Sequence, residues 1–275
     1  MDIRMICMDL DGTALQKDRV SFSPRLTAAL EEAHRRGIAV VPVTGRQFGL
    51  LPQPLKEHPV WENLAVLCNG GQIRRLGTGE LLYSRNIGAE ALRRLLALAE
   101  TFSLPIEFSL DSRLYLTERS LELQRGDPNL VFHRDTILAR NGIIVDSLAP
   151  LCAAGVEKAN LLCIPERIRE PLLKELETIQ VCAVWSFHNC MEITHPDADK
   201  GRGLEAVCRL LDIPVECTMA LGDSGNDIAM LRRAGLGVAM GNAPDFVKEA
   251  GDVVTERFDA DGAAKAIERY ALGRT

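Results

Sequence analysis

The stretch Asp9-Leu10-Asp11-Gly12-Thr13 follows the apolar run Met5-Ile6-Cys7-Met8 near the start of the 275-residue chain. Such a run predicts a buried strand, and polar function in an open α/β sheet lies in loops at the carboxyl ends of strands. If Asp9 stays extended, the carboxylates of Asp9 and Asp11 point to the same side, where their repulsion requires a cation or a shared proton. Two interpretations are open: an ordinary Asp-Gly turn, or a magnesium-assisted phosphoryl-transfer site with Asp9 as nucleophile.

The composition indicates a globular protein of the reducing cytoplasm. Hydrophobic residues make up 47% of the chain, and the net charge of −6 gives no basic field for nucleic acid. The eight cysteines form no CxxC pair, which argues against disulfides and a zinc site. The first apolar run is too short for a signal peptide, and no run of 18 apolar residues exists. We therefore expect a cytoplasmic protein without nucleic-acid or membrane partners.

The first quarter of the chain has the pattern of a parallel sheet. A helix is predicted at 24–36, with Ser23 as its N-cap, followed by a strand at 38–43 that ends at Thr44-Gly45-Arg46. A short helix at 48–55 and a strand at 64–68 follow. Strand and helix in alternation predict parallel strands joined by right-handed crossovers.

The pattern changes after a hairpin predicted at 73–84. Residues 84–190 contain a helix followed by two strands, twice, around a middle at 118–155 that has no clear period. The second pair of strands is expected to turn at His188-Asn189. Alternating strands and helices return after Lys200. We therefore predict a discontinuous core domain of residues 1–83 and 191–275 and an inserted α+β domain of residues 84–190.

Three predicted strands end in loops rich in Asp, Thr and Gly, at 9–13, 44–46 and 222–227. In a parallel sheet these loops share one edge, which brings Asp9, Asp11 and Asp223 together. A few protein oxygens combined with waters and a substrate phosphate are typical of Mg²⁺ binding. Thr44 adds a hydroxyl and Lys200 a point charge for a phosphate.

Four motifs resemble the haloacid dehalogenase (HAD) superfamily, and within it the Cof-type hydrolases with a type IIB cap. They are Asp9-Leu10-Asp11-Gly12-Thr13, Thr44-Gly45-Arg46, Lys200-Gly201 and Gly222-Asp223-Ser224-Gly225-Asn226-Asp227. Met240-Gly241-Asn242-Ala243 also looks like this family. The resemblance implies an α/β fold: a Rossmann-like HAD core with a parallel sheet, and an inserted α+β cap domain with an antiparallel sheet.

The resemblance also implies roles for the site residues. Asp9 is expected to attack phosphorus, and Asp11 to act as general acid and then general base. Mg²⁺ is expected to bind the Asp9 and Asp223 carboxylates and the Asp11 carbonyl. The phosphoryl oxygens are expected to contact Thr44, Lys200, the Asn226 side chain and the backbone N–H groups of Leu10 and Gly45.

Three further residues keep two interpretations each. Asp227 either orients a metal-bound water in the second shell or favours the start of a helix. Arg46 either contacts substrate or pairs with a carboxylate. Asn69 either binds phosphate or substrate, or shapes a turn.

The expected activity is hydrolysis of a small phosphorylated metabolite, such as a sugar phosphate, nucleotide or cofactor phosphate, by a monomer or homodimer. A phosphomutase or phosphotransferase on the same fold is the nearest alternative. The second alternative is a catalytically silent protein that senses a phosphometabolite, although binding alone requires neither Asp9 nor Asp11.

Overall fold

The computed structural model describes residues 2–186 and 189–274. These form two units: unit 1 consists of Met1–Arg46, Leu51–Tyr83 and Asp199–Thr275, and unit 2 consists of Gln47–Leu50 and Ser84–Ala198. The domain limits expected from the sequence stay a prediction. Of the hairpin turn expected near 188, Phe187 and His188 lie outside the described residues.

Strands and helices are numbered along the chain. The strands are β1 (Met5–Met8), β2 (Ala39–Pro42), β3 (Leu64–Leu67), β4 (Gln72–Arg75), β5 (Leu81–Ser84), β6 (Ile106–Leu110), β7 (Arg113–Leu116), β8 (Gly142–Ile144), β9 (Lys158–Leu161), β10 (Cys182–Trp185), β11 (Met191–Thr194), β12 (Thr218–Gly222), β13 (Leu236–Ala239) and β14 (Val253–Val254). The α-helices are α1 (Pro24–Arg35), α2 (Gln53–Lys56), α3 (Ala89–Thr101), α4 (Glu118–Gln124), α5 (Ala139–Asn141), α6 (Glu166–Glu177), α7 (Lys200–Leu211), α8 (Ile228–Arg233), α9 (Asp245–Lys248) and α10 (Gly262–Ala266).

The main sheet of unit 1 is parallel, in the order β14-β13-β12-β1-β2. Strand β1 lies between β12 and β2, so that Met8 is opposite both Leu221 and Pro42. All four residues of β1 are buried, as expected for a parallel strand covered on both faces. Pro42 is tolerated because β2 lies at the edge of this sheet.

The segment that contains β3 leaves the parallel sheet. Strand β3 belongs to a separate three-stranded sheet in the order β3-β4-β5, and it is antiparallel to β4. A parallel bridge between Val43 and Val66 joins it to the end of β2, and the Thr44 N–H donates to the Val66 carbonyl at 2.9 Å. The loop at Thr44 is therefore fixed against this second sheet.

Unit 2 contains a six-stranded sheet in the order β10-β11-β9-β6-β7-β8. Its core includes Leu92 and Leu95 of α3, Phe108 of β6 and Leu172 of α6. The described pairings are antiparallel except between β7 and β8, which are parallel, so the expected antiparallel sheet is mixed. The reason is the long connection that carries α4 and α5, because parallel neighbours require a crossover rather than a tight turn. In both described parts of the chain, every helix is too short or too polar to cross a membrane.

Candidate active site

The Asp9 loop begins where β1 ends. Asp9 is still extended, and its N–H donates to the Leu221 carbonyl at 3.0 Å, which continues the pairing of β1 with β12. The chain then turns sharply at Gly12, whose φ is +80°. A Cβ at Gly12 would lie 2.4 Å from Oδ2 of Asp223. Glycine is therefore required both by the turn and by the close approach of the Asp223 carboxylate.

Lys200 is the first residue of α7 and is fully buried. Its ammonium donates to Oδ1 of Asp9 and to Oδ1 of Asp227, both at 2.6 Å. The neighbouring Gly201 permits this position, because a Cβ there would lie 2.4 Å from the Ala229 carbonyl oxygen of α8. A buried ammonium requires such charged partners, and the two carboxylates supply them.

Asp227 holds both Lys200 and its own loop. Its Oδ2 accepts the N–H groups of Asp223 and Ser224 at 2.9 Å each, while Oδ1 accepts from Lys200. In turn, the Asp227 backbone N–H donates to the Ser224 side chain, which completes a capping box. Both Asp227 oxygens are thus engaged by the protein, which favours an orienting role over direct metal ligation.

Three carboxylates face this one ammonium. Ligand oxygens of Asp9, Asp223 and Asp227 lie within 4.8 Å of one another. Burial raises the pKa of Asp9 well above its usual value, and the charges of Asp227 and Asp223 raise it further against the opposing effect of Lys200. Burial and the Asp227 charge also raise the pKa of Asp223, to about 7. Excess negative charge on hard oxygen donors suits a divalent cation, so the donor set fits Mg²⁺.

Thr44 lies in the loop after β2 and is 1% exposed. Its Oγ1 accepts the Arg46 N–H at 3.2 Å, which leaves the hydroxyl hydrogen to act as a donor. The Thr44 carbonyl accepts the Asn69 N–H at 3.1 Å. Gly45 lies between Thr44 and Arg46, in the loop where the sequence predicts a phosphoryl contact, and Leu10 is buried in the turn that follows Asp9.

Asn226 and Asn69 contact each other directly. The Asn226 Nδ2 donates to the Asn69 Oδ1 at 3.0 Å, and the Asn226 Oδ1 is buried without a hydrogen-bond partner among the described residues. Both interpretations of Asn69 therefore remain compatible with the structure, because it shapes its loop and also holds a residue expected to contact phosphate. An amide nitrogen carries two hydrogens, so Asn226 retains one donor beyond this contact.

The Asp11 side chain contacts Arg46 rather than the cluster of Asp9, Asp223 and Asp227. Its carboxylate is two-fifths exposed and pairs with the Arg46 guanidinium. The structure therefore agrees with the second interpretation of Arg46, in which its side chain pairs with a carboxylate.

Asn242 is a site residue to which the sequence assigned no role. Its Nδ2 donates to the Gly12 carbonyl at 3.0 Å and to Oδ2 of Asp223 at 3.1 Å, while its Oδ1 accepts the Phe258 N–H at 3.0 Å. Thr13 also donates to Asp223, through its hydroxyl to Oδ1 at 3.3 Å. Both Asp223 oxygens are thereby oriented. The motif at 240–243 was the available signal, but nothing local in it indicates a contact with Asp223.

Comparison with known proteins gives consistent matches over nearly the whole chain. A model of the haloacid dehalogenase-like hydrolase family matches residues 6–267. The chain is 28% identical to 5-amino-6-(5-phospho-D-ribitylamino)uracil phosphatase YcsE of Bacillus subtilis (strain 168), over 99% of this chain and 97% of that protein. It is 26% identical to pyridoxal phosphate phosphatase YbhA of Escherichia coli (strain K12), over 99% of this chain and 100% of that protein.

The same likeness extends to three dimensions. The solved structure of the HAD subclass IIB sugar phosphatase BT4131 superposes with a TM-score of 0.83 at 24% sequence identity, and the match covers 98% of this chain and 99% of that one. At this identity the likeness establishes a shared fold, with a parallel core sheet and an inserted second unit.

Proposed function

Because the chain belongs to the haloacid dehalogenase-like hydrolase family, we propose that it is a Mg²⁺-dependent phosphatase of small phosphorylated metabolites that works through a phosphoaspartate on Asp9. The observation that carries the proposal is the buried Lys200 ammonium, 2.6 Å from both Asp9 and Asp227, in a cluster that also contains Asp223. Pure binding of a phosphate requires no buried carboxylate, which would repel the ligand. A nucleophile and a metal ligand do require one.

Asp9 and Asp11 divide the first half of the reaction. An Asp9 oxygen attacks phosphorus, and the bond between phosphorus and the ester oxygen breaks. Asp11 gives its proton to the departing oxygen, so that an alcohol leaves. When bound to the Asp9 and Asp223 carboxylates and the Asp11 carbonyl, Mg²⁺ supplies the positive charge that lets an anionic nucleophile approach an anionic phosphate.

The second half reverses the proton transfer. Asp11, now ionised, accepts a proton from water as that water attacks the phosphoaspartate. The bond from phosphorus to the Asp9 oxygen breaks, inorganic phosphate leaves, and Asp9 regains its carboxylate. Each half therefore consumes one protonation state of Asp11 and restores the other.

The remaining polar groups position the phosphoryl oxygens. The Lys200 ammonium, the Thr44 hydroxyl and the second Asn226 amide hydrogen are the side-chain donors, and Leu10 and Gly45 contribute backbone N–H groups. Lys200 is buried and paired, so it enters the reaction already oriented. Such preorganised charge is the main source of rate enhancement in phosphoryl transfer.

The substrate is a small phosphate monoester such as a sugar phosphate, nucleotide or cofactor phosphate. Two relatives of nearly equal identity carry the names of chemically different substrates, a ribitylaminouracil phosphate and pyridoxal phosphate. Overall identity therefore does not select one of them. We assign substrate selection to the inserted domain at 84–190, and the cytoplasmic location and the monomer or homodimer state stay predictions.

A screen of phosphorylated metabolites tests the proposal, with release of inorganic phosphate as the readout and Asp9→Asn as the blank. We expect activity that requires Mg²⁺, is abolished by EDTA and is at background in Asp9→Asn. Phosphate covalently bound to the acid-quenched protein should appear in the unmodified chain and be absent in Asp9→Asn. Unimpaired turnover by Asp9→Asn would refute the covalent mechanism, and accumulation of a phosphate isomer in place of free phosphate would establish the phosphomutase alternative.

A further inference from the structure

Arg46 and Asp11 form a two-pronged ion pair. The Arg46 Nε donates to Oδ2 of Asp11, and a terminal guanidinium nitrogen donates to Oδ1, both at 2.7 Å. This fork geometry engages both carboxylate oxygens and fixes the direction and the twist of the carboxylate plane. Arg46 is 16% exposed, whereas Asp11 is 40% exposed.

Arg46 is itself anchored at both ends. Its N–H donates to the Thr44 hydroxyl oxygen at 3.2 Å, and its carbonyl accepts the Cys68 N–H at 3.1 Å. The same terminal nitrogen that contacts Asp11 also donates to the Arg19 carbonyl at 3.2 Å. The guanidinium is thus a fixed point that links the loop of Thr44 to the loop of Asp11.

Among the described residues, Arg46 is the one that holds the Asp11 carboxylate by hydrogen bonds. Asp11 lies at a non-helical kink (φ −77°, ψ 118°) directly before Gly12, which adopts a positive φ. A partly exposed carboxylate on such a loop would sample several rotamers. An ionised carboxylate has about four lone-pair sites, and the fork occupies one on each oxygen. The remaining sites stay open for a proton.

We propose that Arg46 is the positioning residue for Asp11: the guanidinium holds the carboxylate in the single orientation from which it gives and takes the proton of the reaction. The inference rests on the proposed function, since it assigns a role only if Asp11 is the acid and base. A positioning residue acts by directing the Asp11 proton to the leaving-group oxygen. The loss of rate on replacing Arg46 must therefore depend on how much the leaving group requires that proton.

Two other roles for Arg46 make different predictions. A guanidinium that contacted the transferred phosphoryl group would assist every ester alike, because all esters share that group. A guanidinium that only stiffened the loop would lower stability and activity together, again without regard to the leaving group. Dependence on the leaving group separates positioning of an acid from both alternatives.

The experiment compares 4-nitrophenyl phosphate, whose leaving group departs without a proton, with 2-phenylethyl phosphate, whose alkoxide requires one. The full chain is measured with Mg²⁺ as the unmodified protein, Asp11→Asn, Arg46→Met, Arg46→Lys and the double variant Asp11→Asn/Arg46→Met. The readout is kcat/KM, which covers departure of the leaving group. Arg25→Met is the matched control, because Arg25 makes a similar fork with Glu268 at 2.6–3.2 Å.

General acid catalysis contributes roughly 10²–10⁴-fold, so we expect Arg46→Met to lose about tenfold or more on the alkyl ester and less than about threefold on the nitrophenyl ester. Arg46→Lys keeps the charge without the fork and should recover only part of the alkyl activity. In the Asp11→Asn background, Arg46→Met should remove little more, because the residue it positions is already gone. Arg25→Met should leave both rates unchanged.

Equal losses on the two esters, or full additivity with Asp11→Asn, would overturn the positioning role while leaving the phosphatase intact. An unmodified protein that releases phosphate from neither ester and from no metabolite of the screen overturns the proposed function, and the role of Arg46 with it. Thermal unfolding midpoints of all variants check that Arg46→Met folds, and Arg46→Lys provides the test if it does not.

Discussion

Replacing Lys200 with methionine removes the ammonium between Asp9 and Asp227 and keeps most of the aliphatic stem. Breaking a buried ion pair costs about 3–5 kcal/mol, because a charge is left in a medium that solvates it poorly. The cost has a ceiling: a stranded carboxylate can instead take up a proton, which at pH 7 requires about 4 kcal/mol relative to an unfolded-chain pKa of about 4. We therefore expect metal-free Lys200→Met to lose about 4 kcal/mol in the free energy of unfolding at pH 7.

The same reasoning predicts how the loss responds to conditions. The deficit should shrink toward pH 5, because protonating the stranded carboxylates becomes easier by about 1.4 kcal/mol per pH unit. Mg²⁺ should restore part of the stability, because a divalent cation replaces the missing charge. Lys158→Met is the matched control: Lys158 is 6% exposed and its ammonium lies 2.8 Å from Glu192 in unit 2. Its loss of stability should not respond to Mg²⁺.

Urea unfolding followed by tryptophan fluorescence measures these effects for each unit. The chain has two tryptophans, Trp61 in unit 1 and Trp185 in unit 2. Trp61 is buried, and its Nε1 donates to the Leu55 carbonyl at 2.6 Å. A Trp185→Phe background therefore reports unit 1 for Lys200→Met, and a Trp61→Phe background reports unit 2 for Lys158→Met. A loss below about 1 kcal/mol in EDTA, or equal stabilisation of both lysine variants by Mg²⁺, would contradict the charge balance derived for the site.

Three further predictions concern the Asp223 carboxylate. Asn242→Ala should weaken Mg²⁺ binding by about 10–100-fold in calorimetric titration, because Asp223 loses an orienting donor; unchanged affinity would exclude that role. Gly12→Ala should lower stability by about 1–2 kcal/mol through its positive φ and should displace the Asp223 carboxylate, which reduces Mg²⁺ affinity, whereas Gly126→Ala, with open space around it, should not. The pKa of Asp223 is raised to about 7 in the fold, above its unfolded value of about 3.9, so its contribution to metal-free stability is present below that unfolded value and is lost as pH rises toward 7. Urea unfolding in EDTA should show this fall in stability with rising pH, and Asp223→Asn should lack it; the same pH dependence in both proteins would contradict the assignment.

The sequence predicts the site better where chemistry lies at strand ends than where it depends on tertiary contacts. Asp9 and Asp223 follow apolar strands, and adjacent parallel strands end at the same edge of a sheet. In the structure, β1 and β12 are such neighbours, because they pair in parallel. Asn242 follows β13 and reaches back to Asp223, a contact that depends on loop geometry and not on any local pattern. The partner of Arg46 was undecided for the same reason, since a long side chain reaches several loops.

The secondary structure in the middle of unit 2 could not be predicted from the sequence, because its elements are short. Strand β8 has three residues, too few to display alternation. It is preceded by the short helices α4 and α5, with a 3₁₀ helix (Pro128–Leu130) and a π-helix (His133–Leu138) between them. Its position beside β7 comes from the parallel ladder at Leu114 and Gly142. Pairing over so few residues is decided by packing, which a periodicity of the sequence does not record.

The central position of β1 has a consequence for synthesis of the chain. On the ribosome, β1 can pair with β2 early, but its other neighbour, β12, is about 210 residues away and emerges about 10–40 s later at roughly 5–20 residues per second. Unit 2 is mostly contiguous, from Ser84 to Ala198, and is complete before then. During that interval one side of an apolar strand offers unpaired backbone groups to other chains. Among the described pairings, β1 waits longest for its second partner. Asp9, the proposed nucleophile, follows this strand, so a nascent chain can bring Asp9 and Asp223 together only after unit 2 has been made.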